Sequence, residues 1–564
     1  MAQVSVSSMS TGCVSGCQQA LLASYRQPWT TVPSPPLPPR CRTEQQASAP
    51  RRWSRSTGSA GQRPTRWREW LGATAASLAA ATSRARRARR PPTCRKADSR
   101  RADSADRWFQ SLLEDREGQP FDAALSERGA AALGQAAPPL GRQEPWRYTD
   151  LDTLLYADQS PIDPLPDEAQ REALSQLLED KQDGVLRLVF IDGTLSSEFS
   201  SSQNDGENCF VGGREALRLQ GEGITTRVND LLQPLPEVDM MKFHSRDSLG
   251  CAKLAALNQA LFKDCACVCI PSDSRLEEHS APTEAEVVFV STGSLPSVCS
   301  PRVLIDVGRN QRLHVVESHL SLDPRDTRLT NGICRVLVAE GAEVVHDLLQ
   351  QRAEGARFVG SLAAEVAERA SYKLRVVQTG SRTARLNVMV LLAGEAATCD
   401  ASATMVASDK QQLDLHSLIH HRVAGCSSKQ QHKNIVGDTA ECIFKGSITV
   451  DKEAQQTKSS QICRSLLLSK KAKVKAMPCL QIRADDVACS HGAAVTELDE
   501  KQVFYLASRG LDGGEARSLL LTAFPQDLLA GLRTSSPKAN DRVLEKLKSL
   551  AASQASSRIS HIVH

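Results

Sequence analysis

Between about residues 265 and 497, apolar residues come in short runs or in strict alternation, broken by Gly, Asp, Ser and Pro. The runs include Cys267–Ile270, Val287–Val290, Val303–Val307, Leu313–Val316, Cys334–Val338, Leu374–Val377, Leu386–Leu392, Cys442–Val450, Ser465–Leu468 and Leu480–Ile482. A period of two puts alternate side chains on one face, so these segments are predicted to be β-strands. No long helical pattern separates them, which points to an all-β body. The stretch is long for a sandwich. A parallel β-helix suits it better, because each rung need only bury its inward residues against its neighbours. One departure is the Ala-rich stretch Ala353–Ala370, which predicts a helix on the solenoid surface.

The flanks follow a different period. Residues 98–264 read as a helical, α+β region: Trp108-Phe109 and Leu112-Leu113 fall at helical spacing, and Glu168–Leu178 continues the theme. Between them lies an aromatic-rich turn, Gln143–Leu151. Leu186–Ile191 reads as a strand closed by the turn Asp192-Gly193, and helical character returns across 228–263. After Thr496 a helix over Leu498–Ala507 is expected to end at Arg509-Gly510, with Gly as the cap. A second helix, Gly514–Leu532, carries Leu519, Leu520, Phe524, Leu528 and Leu529 on one stripe and should be kinked by Pro525. Residues 536–564 read as a loose tail. The fold class is therefore mainly β, a parallel β-helix over 265–497 with helical segments at 98–264 and 498–535.

Charge divides the chain. The 564 residues carry a net charge of +4, but residues 1–97 hold 16 Lys and Arg against only Glu44 and Glu69. That leader carries +14, which leaves −10 on the rest. It is rich in Ser, Ala and Arg, with the basic run Arg84–Arg90 near its end, and has the composition of an organelle transit peptide. An acidic body argues against a nucleic-acid footprint. No stretch approaches the roughly 18–20 apolar residues that a membrane span needs. The 17 cysteines are scattered and do not resemble a small disulfide scaffold, so a reducing compartment is expected.

Several catalytic signatures are missing. The dipeptide Gly-Lys does not occur, so there is no P-loop, and neither GxGxxG, GxSxG nor HExxH is present. Three constellations remain that could carry chemistry. Cys265, Cys267 and Cys269 share one strand face, but they alternate with Ala and Val as core filler would. His416, His420, His421, Cys426 and His432 have ligand-like spacings in a strand and turn context, which favours packing or hydrogen bonding along a rung. Asp485-Asp486 is most simply a turn. The pair Cys489 and His491 stands apart. In a strand these two soft ligands project to one face, with Ser490 turned away. Thiolate and imidazole suit iron or zinc, yet two ligands do not complete a site. The pair is either incidental or completed by a second chain.

The block His420–Lys433 resembles SufD, a scaffold subunit of the SUF iron–sulfur assembly machinery in the SufB/SufD family. So do Phe444–Val450 with Ala454–Thr457, Leu466–Ser469, Ala484–Ala493, and Leu498-Asp499-Glu500 with Phe504–Gly510. Upstream, Trp146-Arg147-Tyr148-Thr149-Asp150-Leu151 is similar to the family's N-terminal signature. The resemblance implies a right-handed parallel β-helix. It also implies a complex with the paralogue SufB through the β-helices and with the ATPase SufC through the C-terminal helices. Phe504, Tyr505, Arg509, Leu519, Leu520 and Phe524 are then the expected contacts. It further implies a transient iron–sulfur cluster at the SufB junction, with His491 the expected ligand and Cys489 a weaker one, and no catalytic residue of the chain's own. With a transit-peptide leader, the expected compartment is the chloroplast stroma. Two other readings stay open: a purely architectural subunit without cluster ligands, and a β-helix carbohydrate-active enzyme.

Overall fold

The computed structural model describes residues 92–114, 120–156, 167–179, 184–201, 210–218, 249–272, 281–293 and 298–562, with two further helical positions at 228 and 232. The expected leader therefore falls outside the described residues as far as residue 91. Residues 104–564 form one compact unit.

Its body is a parallel β-solenoid whose chain alternates between two facing sheets. The first sheet runs, in spatial order, Thr194–Leu195, Leu186–Ile191, Thr283–Ser291, Arg312–Ser321, Glu343–Gln351, Ser371–Gln378, Thr398–Ala407, Ser427–Val436, Thr457–Leu467 and Val487–Glu497. The second runs Phe210–Gly212, Ala266–Ile270, Arg302–Val307, Leu329–Val338, Arg357–Val366, Thr383–Leu392, Gln412–His421, Glu441–Val450 and Lys473–Ile482, with Val298–Cys299 beside Leu329–Val338. The two short pairings at the N-terminal end are antiparallel; the others are parallel. Register advances by about one turn per coil: Arg357 pairs with Thr383, Thr383 with Gln412, and Gln412 with Glu441. Inward residues of both walls merge into one apolar core, including Val344, Phe358, Tyr372, Leu386, Leu415 and Phe444.

Ala353–Ala370 is not helical. Arg357–Val366 is a strand held on both sides, by Leu329–Val338 and Thr383–Leu392. Ala364 and Ala370 are buried in the solenoid core, where a small side chain fits the crowded interior. Two parallel ladders outweigh the few tenths of a kcal/mol per residue by which Ala favours a helix. Strands such as Glu343–Gln351, Thr398–Ala407 and Gln412–His421 also escaped the apolar pattern, because their buried positions include His346, Gln350, Thr404, Asp414 and His416.

Helices pack on the outer faces. Ala123–Gln135 and Ala252–Leu261 touch closely enough that a Cβ on Gly129 would sit 2.5 Å from Ala260 N. Phe109, Trp146, Leu154, Leu254 and Leu257 join them to Leu329 and Val359 of the second sheet. At the other end, Glu500–Ser508 is capped by Asp499, and Gly510 follows it with φ +96°, the left-handed conformation that glycine adopts freely. Gly513–Ala523 begins with an Asp512–Glu515 capping box. Pro525 breaks the second helix as its lost N–H requires, leaving the short turns Gln526–Leu529 and Leu532–Ser535.

The expected loose tail is replaced by a helix, Pro537–Ile562. Ala539, Val543, Leu547, Leu550 and Ala551 are buried along it. Its polar groups also grip the solenoid: Gln351 of the first sheet donates to Ala539 O at 3.0 Å, and Lys546 donates to Oε1 of Gln411, in the turn before Gln412–His421, at 2.6 Å. These apolar residues follow helical spacing, but their frequency is low and the neighbours that bury them lie far away in sequence. No described helix is long and apolar enough to cross a membrane.

Candidate functional site at the open end of the solenoid

The last rung is formed by Lys473–Ile482 and Val487–Glu497, each the final strand of its sheet. Among the described residues each pairs on one side only, to Glu441–Val450 and Thr457–Leu467 respectively. Two long strand edges and the end of the interior are thus uncovered, and burial falls off sharply across this rung. Such edges are templates for pairing with another chain unless they are blocked. Exposed apolar residues cluster here too: Ile462 at 40%, Ile482 at 41% and Val495 at 47%.

Register fixes where the candidate ligands point. Cys489 stacks beside Ser459 and His491 beside Gln461, both buried inward positions of the preceding rung. Cys489 and His491 therefore occupy inward positions of a rung with no successor. Cys489 is half-buried against the small cluster of Ile448, Val450, Ala454 and Ala484, while His491 is exposed. Burial pushes the Cys489 thiol above its usual range, opposed by a backbone hydrogen bond at Ser459, so the isolated chain holds it as a thiol. Gln461 is fixed beneath His491: its Nε2 donates to Gln430 Oε1 at 3.2 Å and approaches Gly446 so closely that no Cβ fits there. Asp485 and Asp486 lie in the exposed turn just before the strand. Asp486 N donates to Gln455 Oε1 and its carbonyl accepts from Gln456 N, as a stacked turn requires.

The other sequence candidates have structural explanations. Cys265, Cys267 and Cys269 are buried against Leu125, Phe210 and Phe262 on the outer face of their strand, with Cys265 and Cys267 sulfurs 3.4 Å apart. His416 contacts Asp414 at 3.0 Å and Arg385 at 3.1 Å, His420 contacts Asp451 at 2.8 Å, and His421 contacts Ser428 Oγ at 2.8 Å. His432 lies over Phe444 at 3.9 Å, and Cys426 Sγ donates to Gly394 O. They are spread along the rungs and form no common site.

The Trp146–Leu151 turn is a docking element. Arg385, wholly buried on the outer face of the second sheet, lies 4.0 Å over the Trp146 ring and donates to Pro145 O at 2.6 Å. Gln412 accepts from Asp150 N and donates to Tyr148 O. Nothing in the strand pattern alone signals this partnership.

Among the six residues expected to meet a partner at the C-terminal helices, Phe504 is 76% and Tyr505 55% exposed. Arg509 lies over the Tyr505 ring at 5.4 Å and is also exposed. Leu519 is half-buried. Leu520 and Phe524 are buried inside the unit, where Lys433 Nζ donates to Phe524 O at 2.6 Å. A cleft of about 420 Å³ lies between the first sheet and the final helix, and within it Arg187 pairs with Glu286 and Arg375 with Asp347.

Residues 289–524 match the family described as SUF system FeS cluster assembly, SufBD core domain. The chain is 29% identical over 437 residues to an iron–sulfur cluster assembly SufBD family protein of Synechocystis, covering 75% of this chain and 91% of that protein. It is 29% identical to the chloroplastic protein ABCI7 of Arabidopsis thaliana, covering 72% and 81%. It is 26% identical to the iron–sulfur cluster assembly protein SufD of Escherichia coli, covering 70% and 85%. The matched stretch is the solenoid from its early rungs through the open end and the first C-terminal helices, so residues 289–524 form a SufBD core domain, in a chain similar over most of its length to iron–sulfur cluster assembly proteins.

Proposed function

We propose that this chain is a non-catalytic scaffold subunit that works in complex with SufB and SufC. Its open last rung abuts the corresponding end of SufB, and the nascent iron–sulfur cluster forms at that junction as cargo, later passed to recipient proteins. His491 is the principal ligand from this chain and Cys489 a second. The carrying observation is that both soft ligands stand at inward positions of a rung whose neighbour is missing. A partner rung stacked there would bury the exposed edges and bring further ligands to the same place. Two ligands from one side hold a cluster incompletely, which suits cargo that must leave. SufC docks on Phe504, Tyr505 and Arg509, and supplies the nucleotide chemistry for which this chain has no P-loop. The basic leader and the chloroplastic relative support a plastid location, in the stroma.

The test is cluster reconstitution on the assembled three-subunit complex. His491→Ala should leave folding and assembly intact, because the side chain is exposed, and should depress cluster yield severalfold. Equal yields from variant and parent complexes would remove His491 from the mechanism.

A further inference from the structure

A second set of soft donors lies deep inside the solenoid, in its N-terminal half. Among the described residues, Glu317, Cys334 and His346 bring one ligand atom each to within 4.8 Å of one another, and all three are buried. They come from three strands on both walls: Arg312–Ser321 and Glu343–Gln351 from the first sheet, and Leu329–Val338 from the second. Alternation explains the convergence. Val315, Val344, Leu348 and Val336, two positions from one donor or another, all face the same interior.

The donors are held in place by neighbours of the kind that metal ligands need. Tyr372 OH and His346 Nδ1 lie 3.0 Å apart, which turns His346 Nε2 toward Glu317 Oε2 at 3.3 Å. Glu317 Oε1 is fixed by His319 Nε2 at 2.8 Å. The His319 ring is itself clamped between Phe289 and Phe358, at 5.1 and 5.0 Å. Glu317 Oε2 and His346 Nε2 face the gap without a well-formed hydrogen bond, although both are fully buried. An unmet polar atom in an apolar core is costly. Two such atoms beside a buried thiol, converging on one point, are not what packing alone selects.

We propose that Glu317, Cys334 and His346 form a buried site for a single divalent transition-metal ion of the zinc or iron(II) class. Carboxylate, thiolate and imidazole are the mixed donor set such ions accept, and three protein ligands leave a fourth position open. Binding forms a metal–sulfur bond and releases the Cys334 proton to solvent. The bound carboxylate and thiolate then balance the two positive charges, so the filled site is neutral. In the metal-free chain, burial and the nearby Glu317 carboxylate push the Cys334 thiol well up, which keeps it protonated until an ion displaces the proton. This site uses no residue of the open end and does not depend on the scaffold reading.

The experiment is to express the full chain in cobalt-supplemented medium without added sulfide, so that an ion can enter as the solenoid closes. The Cys489→Ala/His491→Ala background removes the pair at the open end. The expected result is about one cobalt per chain with a thiolate-to-cobalt charge-transfer band, both lost in Cys334→Ser. X-ray absorption on the background chain gives a readout that needs no core variant: one sulfur with nitrogen and oxygen donors is expected. A folded chain without cobalt, a coordination shell with no sulfur or several, or a folded Cys334→Ser chain that keeps its cobalt would each overturn the site.

Discussion

Thr149 Oγ1 donates to Asp414 Oδ2 at 2.7 Å, joining residues 265 positions apart in sequence. Asp414 also pairs with Arg385 at 3.2 Å, and both of those side chains are wholly shielded from water. The N-terminal turn is thus fastened to the solenoid wall by one buried ion pair and its hydrogen bonds. Removing one partner of a buried pair leaves the other charge uncompensated, which costs about 3–5 kcal/mol. Asp414→Ala should lower the urea-unfolding free energy by that amount. A loss below about 1 kcal/mol would mean that the turn is not fastened this way.

Acid should weaken the fold in two stages. Burial lowers His432 from 6.5 to about 3, and burial with the nearby His420 lowers His421 to about 4. Both histidines are therefore neutral in the native state where the unfolded chain already binds protons. Their stabilisation is complete above pH 6.5 and is lost as pH falls toward the folded values. Between pH 7 and pH 5 each should cost about 2 kcal/mol. Asp414 acts lower down: burial alone would raise it, but His416 and Arg385 hold it at about 2 against an ordinary 3.8. Its contribution is present above pH 3.8 and disappears as pH falls through 2. Urea midpoints at pH 7 and 5 should converge in a His421→Gln/His432→Gln chain; an unchanged pH slope would contradict the assignment.

The C-terminal helices should separate binding from stability. Phe504→Ala and Tyr505→Ala remove exposed side chains and should shift unfolding by no more than about 0.5 kcal/mol while abolishing SufC capture. Leu520→Ala, by contrast, opens a cavity and should cost about 2–5 kcal/mol. Full SufC binding by the Phe504→Ala/Tyr505→Ala chain would place that subunit elsewhere.

The final helix should behave as part of the core. Leu547 is fully buried, and a Cβ on Gly437 would meet Leu550 at 2.6 Å, which shows how tightly the helix and solenoid fit. Leu547→Ala is expected to cost about 2–5 kcal/mol, and deletion of residues 537–564 should lower the melting temperature markedly. An unchanged melting temperature on deletion would return this segment to the status of a tail.

Much of this was legible in the chain itself. Leu186–Ile191 has the bounds that its apolar run predicts, and the stop at Arg509-Gly510 and the break at Pro525 stand where glycine and proline dictate. The Cys489–His491 spacing already placed two soft ligands on one strand face. Polar strands were harder. Gln412–His421 and Ser427–Val436 carry His, Gln, Lys and Asn at buried positions, so their membership shows only when the neighbouring rung supplies hydrogen bonds, as Gln430 does for Ser417 and Gln461.

Periodicity and turn residues determined that the chain builds a β-solenoid flanked by helices, because those signals act between residues close in sequence. The tertiary structure alone decided that Ala353–Ala370 is strand, that the last helix is core, and that Arg385 receives Trp146. It alone showed that His491 sits at an uncovered end and that Glu317, Cys334 and His346 meet inside. Each of those outcomes depends on which rung or helix lies beside which, and folding brings together residues from about a dozen to more than two hundred positions apart, whose proximity no local pattern encodes.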